Sequence, residues 1–118
     1  MDIAQFKAET TENVIEPMIR FIEEYDGEDY TKEDVQKCES LIHQYLEALH
    51  AMSAPTDDDI MEQVRIVVLA LNDLNQATGY ALIETDAREA LWGVIQTSAE
   101  ACGLQNAPDD VTEEWREW

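Results

Sequence analysis

The sequence has few of the residues on which most enzyme sites depend. It contains only two histidines, two cysteines and four glycines in 118 residues. No serine lies in a Gly-x-Ser-x-Gly turn, neither cysteine has a sequence context that suggests activation, and the glycines form no phosphate-binding loop. The sequence therefore predicts that the protein is not an enzyme.

The scarcity of histidine also argues against a metal site. Both histidines fall in one segment, in which Glu39, His43, Glu47 and His50 follow at helical spacing. A di-iron bundle needs a Glu-x-x-His pair on each of two helices and carboxylates from two more. Three zinc ligands on a single helix would be awkwardly placed. We interpret this pattern as a solvated polar face and expect no metal and no cofactor.

Long hydrophobic runs are missing as well. No stretch approaches the roughly 18 apolar residues of a membrane span, and residues 1–4 lack the basic and apolar pattern of a secretory leader. We expect a cytoplasmic protein that makes no contact with membranes. Cys38 and Cys102 lie far apart on apolar faces, which predicts two reduced, buried thiols.

Positive charge is the scarcest property of all. Seven Lys and Arg face 27 Asp and Glu, and the net charge is −20. Nucleic-acid backbones and anionic membranes would repel such a chain, so direct nucleic-acid binding is not expected. A basic protein would be attracted to it. The alternative is that the acidity serves only solubility or reflects a salt-rich habitat.

Helix signals recur four times along the chain, with apolar residues at steps of three and four. We therefore predict an all-α fold, an antiparallel bundle of about four helices in a single domain spanning residues 1–118. In the first segment Pro17 stands among helix-forming residues, ahead of a break at Asp26 and Gly27. Because an interior proline loses a backbone hydrogen bond, the first helix should be kinked or broken near Pro17.

The other helices have clearer boundaries. Thr31 and Thr56 are predicted N-caps of the second and third helices, and Gly79 should end the third. The fourth should run from about Thr85 to Gly103. The remaining residues would add one or two short helical turns or stay mobile.

Two features are candidate partner-binding sites. The first is an acidic stretch over the end of the first helix, the loop and the start of the second helix: Glu23, Glu24, Asp26, Glu28, Asp29, Glu33 and Asp34. Its alternative is a solvated loop whose charges complement a helix start. The second is the pair Trp115 and Trp118, since tryptophan is enriched at binding hot spots. Their alternative role is packing over the bundle.

One segment carries a resemblance to known proteins. Leu71-Asn72-Asp73-Leu74-Asn75, then Gly79, then the residues 82–89 resemble a pattern in small acidic bacterial proteins that are predicted immunity proteins of toxin systems. The resemblance covers residues 71–89 and implies a protein that binds and neutralises a cognate toxin. It implies no particular binding residues.

These observations lead to one main hypothesis and two alternatives. The main hypothesis is an inhibitory binding module, an immunity protein whose acidic face covers the basic site of a toxin such as a nuclease. One alternative is a nucleic-acid mimic that binds a DNA-binding protein. The other is a structural or adaptor bundle that forms a homodimer through an apolar face.

Overall fold

The computed structural model describes residues 1–27 and 29–118, and the predicted all-α fold is confirmed. Glu28, one of the predicted partner-binding residues, lies outside the described residues. The helices are α1 (Ile3–Thr10), α2 (Glu16–Tyr25), α3 (Lys32–Ala51), α4 (Asp57–Ala77) and α5 (Thr85–Ala101). α1 and α2 belong to one helical run over residues 3–25, which we call the first helical arm. Together with α3, α4 and α5 it gives the four-helix bundle that was predicted, within the described residues.

The first arm is interrupted just before Pro17 by a π-helical turn, Thr11–Ile15. There the Glu16 N–H donates to the Thr11 carbonyl, five residues back. Pro17 lies in the first turn of α2, directly after the π-helical turn, and has no N–H to donate. The irregularity predicted near Pro17 is therefore a widened turn that lets the helix continue past the proline.

Side-chain caps fix the starts of α3 and α4. Thr31 and Asp34 form a reciprocal capping box, and Thr56 and Asp59 form another. Both predicted N-caps are thus confirmed. Gly79, with φ of +65°, follows α4 in the left-handed region that glycine adopts without strain.

The helices surround one hydrophobic core. The first arm and α4 each pack against α3 and α5, so α3 and α5 stand diagonally opposite. The Tyr45 hydroxyl of α3 spans that diagonal and donates to the Ile95 carbonyl of α5 at 3.0 Å. Both cysteines are free thiols, but only Cys38 is buried. Cys102 is half-buried because it lies beyond the last turn of α5.

The residues after α5 fold back over α4 and α5. The Gln96 side chain accepts the Val111 N–H, and the Asn72 side chain bonds the backbone of Trp115 and Glu117. Residues 112–116 of this segment form a hydrogen-bonded turn, in which the Arg116 N–H donates to the Thr112 carbonyl at 2.9 Å. Of the two outcomes predicted for this segment, the structure shows the ordered one.

Candidate functional site

Four of the predicted acidic residues lie at the end of the bundle where α2 stops. Glu23 and Glu24 are in the last turn of α2, and Asp26 and Asp29 follow it. All four are exposed, and within residues 1–27 and 29–118 none of their carboxylates has an ion-pair or hydrogen-bond partner. Carboxylates in the last turn of a helix oppose the negative end of its dipole. Local helix stability therefore does not explain Glu23 and Glu24.

Glu33 and Asp34 have structural roles in the same region. Asp34 accepts the Thr31 N–H at 2.9 Å and so closes the α3 capping box. Glu33 lies 3.8 Å from Lys37, one turn further along α3. Both roles belong to the start of α3, which was the alternative interpretation of these two residues; a role in partner binding remains a prediction for them.

A groove beside this acidic end was not foreseen from the sequence. It has a volume of about 490 Å³ and lies between the first helical arm, the loop before α3 and the start of α5. Its lining consists of Asn13, Val14, Pro17, Met18, Phe21, Tyr30, Ala81, Leu82, Glu84, Thr85, Asp86 and Ala87. We call it the acidic groove, because Glu84 and Asp86 are the charged residues of this lining.

Stacked aromatic rings form part of the wall of the acidic groove. Phe21 and Tyr30 have ring centroids 5.4 Å apart and planes 10° from parallel. The Tyr25 ring packs on Phe21 from α2, with a centroid distance of 4.5 Å. The π faces of such rings attract cations and apolar groups alike.

Tyr30 shows that two acidic segments meet at the acidic groove. Burial and, to a smaller extent, the nearby carboxylates of Glu84 and Asp29 together raise the pKa of the Tyr30 hydroxyl to about 12. A negative charge opposes ionisation of a neighbouring phenol. Asp29 from the predicted acidic stretch and Glu84 from the start of α5 therefore act on one side chain, although 55 positions separate them in the sequence.

The loop that carries Glu84 is held by hydrogen bonds from α4. Asn75 accepts the Ile83 N–H on its side chain at 2.9 Å and the Tyr80 N–H on its carbonyl at 2.8 Å. Thr78 accepts the Leu82 N–H on its hydroxyl at 3.2 Å. Hydrogen bonds to α4 thus hold the groove wall at residues 81–84 in position.

The C-terminal tryptophans pack against the core. Trp115 and Trp118 are both half-buried, and the Arg116 guanidinium lies 5.6 Å from the centroid of the Trp118 ring. This is the alternative role named for them, and binding a partner through their exposed parts remains a prediction. Sequence reasoning did not anticipate that the Asn72 side chain would hydrogen-bond the backbone of Trp115 and Glu117.

The polar pattern on α3 has a partner on α1. Lys7 pairs with Glu47 at 2.9 Å, and the hydrogen bond from Lys7 lowers the pKa of the Glu47 carboxyl. Within the described part of the chain, no three His, Cys, Asp or Glu side chains are grouped as metal ligands.

Comparisons with protein-family models, with curated proteins and with solved structures gave no match to this chain. Among the residues that the structure describes, none of the helices combines the length and the apolar character needed to cross a membrane.

Proposed function

We propose that the protein is an inhibitory binding module of the immunity type, which neutralises a basic toxin by covering its active site. The observation that carries the proposal is the end of the bundle formed by Glu23, Glu24, Asp26 and Asp29 together with the acidic groove. Negative charge, apolar surface and aromatic rings occur there side by side. Such a combination suits the recognition of a basic protein surface.

Few of the carboxylates are neutralised within the chain. The ion pairs of the described residues engage Lys7, Lys37, Arg65 and Arg116 with one carboxylate each. With a net charge of −20, most of the acidic side chains are left to the solvent or to a partner. A field of this strength accelerates association with a basic protein and weakens as salt is added.

The choice of a toxin as partner rests on the resemblance of residues 71–89 to immunity proteins. A nuclease toxin would fit the charge, because the surface with which it binds the phosphates of a nucleic acid is basic. Carboxylates placed over that site would occupy the positions of the phosphates and exclude the substrate.

The test compares two variants of equal charge. In the first, the acidic end is neutralised by Glu23→Gln, Glu24→Gln, Asp26→Asn and Asp29→Asn. In the control, four exposed carboxylates elsewhere are neutralised by Asp73→Asn, Asp109→Asn, Glu113→Gln and Glu114→Gln. Each chain is used to capture proteins from a lysate of the source organism at about 50 mM and about 500 mM NaCl. The captured protein is then purified, and its activity is measured with and without the chain.

The proposal predicts that the wild type and the control variant both retain one basic partner at the higher salt concentration. Both should also inhibit the activity of that partner. The acidic-end variant should lose that partner. Equal losses for both variants, or many basic proteins that all wash off with salt, would show a general polyanion effect and contradict the proposal.

A homodimeric adaptor is the second candidate, and exposed apolar side chains on α4 favour it. Ile66 and Leu69 are 48% and 37% exposed, and Ile66 lines a shallow hollow of about 240 Å³ with Leu41 and Ala70. Two copies of charge −20 repel each other, so dimers of this kind should form more readily at high salt. Sedimentation at both salt concentrations, with Ile66→Ser as the variant, tests this candidate.

A further inference from the structure

We propose that the acidic groove is the socket for an arginine side chain that projects from the surface of the basic partner. This inference rests on the proposed function and names the contact at its centre. It follows from the shape, the lining and the charge of the groove.

The shape of the groove fits a side chain together with a short piece of the backbone that carries it. Its volume of about 490 Å³ lies within the range of roughly 300–1,000 Å³ found for small-ligand pockets. It is partly open to solvent, so a side chain from a protruding loop can reach it. The hydrogen bonds from Asn75 and Thr78 keep the wall at residues 81–84 preorganised.

The apolar part of the lining suits the stem of a long side chain. Pro17, Phe21 and Ala81 line the groove and keep apolar surface that is accessible to solvent. The methylene groups of an arginine would contact them while its charged end stays at the acidic side chains. An acidic group would be repelled here by Glu84 and Asp86, and a neutral polar group would form hydrogen bonds with them without the added attraction of opposite charge.

The charge and the aromatic rings favour arginine over other side chains. Glu84 and Asp86 belong to the lining, which among residues 1–27 and 29–118 includes no Lys, Arg or His, and Asp29 lies close enough to influence Tyr30. A guanidinium forms paired hydrogen bonds with carboxylates and stacks on aromatic faces, whereas a lysine ammonium does neither as well. The positive end of the α5 dipole would oppose a cation, but Glu84 and Asp86 stand at that end and outweigh its partial charge.

The experiment uses the peptide Ac-Gly-Arg-Gly-NH₂ and two relatives in which arginine is replaced by lysine or by citrulline, its uncharged isostere. Backbone amide NMR signals of the full chain are followed at about 50 mM NaCl. We expect the arginine peptide to shift the signals of Tyr30 and of residues 81–87. The lysine peptide should bind at least threefold more weakly, and citrulline should cause no saturable shift. Equal binding of citrulline, equal binding of lysine or shifts spread over all acidic surfaces would overturn the inference.

Two variants locate the binding within the groove. Glu84→Gln with Asp86→Asn should weaken the arginine peptide about tenfold or more, since charge-assisted hydrogen bonds are lost. Asp73→Asn with Asp109→Asn makes the same change of net charge and should leave binding within about twofold. If thermal unfolding shows that Glu84→Gln with Asp86→Asn does not fold, Ala81→Met takes its place. This substitution narrows the groove while keeping both carboxylates, and it should also weaken binding. Full binding by a folded groove variant contradicts the proposal.

The two proposals can fail separately. In one outcome, the partner is lost when Glu23, Glu24, Asp26 and Asp29 are neutralised but is retained by folded Glu84→Gln with Asp86→Asn. The proposed function then stands, and the proposed arginine site in the groove is refuted. If the arginine peptide binds in the groove but no protein partner is captured and inhibited, the groove recognises arginine and the proposed function is wrong.

Discussion

The ring of Phe21 lies nearly parallel to the ring of Tyr30, with centroids 5.4 Å apart. Phe21 belongs to α2 and Tyr30 to the loop before α3, so this stack joins the acidic end of α2 to the acidic groove. Phe21→Ala should lower the free energy of unfolding by about 2–3 kcal/mol, less than for a fully buried phenylalanine. Urea unfolding measures the change. Tyr25→Ala, at a residue that is 50% exposed, is the control and should cost less than half as much.

Alkaline pH should destabilise the protein through its buried thiol and phenol groups. Burial raises the pKa of Cys38 and of Tyr30 to about 12 each and raises that of Tyr45 as well. The folded state therefore keeps protons that the unfolded state releases from about pH 9 for the thiol and pH 10 for the phenols. Stability should be full below these values and fall as the pH rises toward 12.

Tyr30→Phe should reduce this alkaline loss, because it removes one of the retained protons. Tyr80→Phe is the control, since Tyr80 is 58% exposed. Urea midpoints measured from pH 8 to about 11 decide the matter. An unchanged slope in Tyr30→Phe would show that this hydroxyl titrates no later in the folded state than in the unfolded state.

The contact between Tyr45 and Ser98 should contribute to stability across the core. Their hydroxyl oxygens lie 3.0 Å apart. The Tyr45 proton is donated to the Ile95 carbonyl, so the single Ser98 proton is shared between the Tyr45 oxygen and the Val94 carbonyl, which lies 2.6 Å from the Ser98 oxygen. Tyr45→Phe should cost about 1–2 kcal/mol, because the Val94 bond leaves Ser98 with a partner. A double-mutant cycle with Ser98→Ala should give a coupling of at least about 0.5 kcal/mol. Strictly additive losses would contradict a direct interaction.

Asn72 should control the order of the C-terminal segment. Its side chain donates to the Trp115 carbonyl at 2.8 Å and accepts the Glu117 N–H at 3.0 Å. Asn72→Ala should increase hydrogen exchange in residues 110–118 and shift tryptophan fluorescence to the red, at a cost of about 1–3 kcal/mol. Gln76→Ala, an exposed site on the same helix, should change neither. If Trp115 and Trp118 also bind the partner, Asn72→Ala will weaken capture.

Glu23 and Glu24 should lower stability while they serve binding. Both lie in the last turn of α2, which contains no basic residue. Replacing both by Gln should raise stability by about 0.5 kcal/mol at low salt, because repulsion from the helix dipole is removed. Glu113→Gln with Glu114→Gln is the control of equal charge. Gln at positions 23 and 24 should also slow association with the proposed partner. A gain in stability together with a loss in binding is the trade-off expected of functional residues. A gain in stability with unchanged association would assign these carboxylates to solubility alone.

The helix starts show how well local chemistry can be predicted from sequence. Thr31 and Thr56 cap α3 and α4 in the structure, since a capping hydroxyl needs only the backbone three residues ahead. The irregularity at Pro17 was also predictable, although its form, a π-helical turn, was not. A missing N–H is evident in the sequence, whereas the response of the helix depends on the packing of Val14 and Ile15 into the core.

The acidic groove could not be predicted in the same way. The stretch Glu23–Asp34 was recognisable as acidic, but nothing in it indicated that Glu84 and Asp86 would lie nearby. Tyr30 was likewise passed over as a site residue. Its position near Glu84 depends on how the helices pack, because 54 positions separate the two residues in the sequence.

The sequence by itself determined the helical class, the main helix boundaries and the excess of negative charge. These follow from composition and from interactions within a few residues, which do not depend on how the helices pack. Only the tertiary structure decided which carboxylates share a surface. The bundle places the first helical arm and the loop before α3 beside the start of α5, and so joins Phe21 and Tyr30 to Glu84 and Asp86 in one groove.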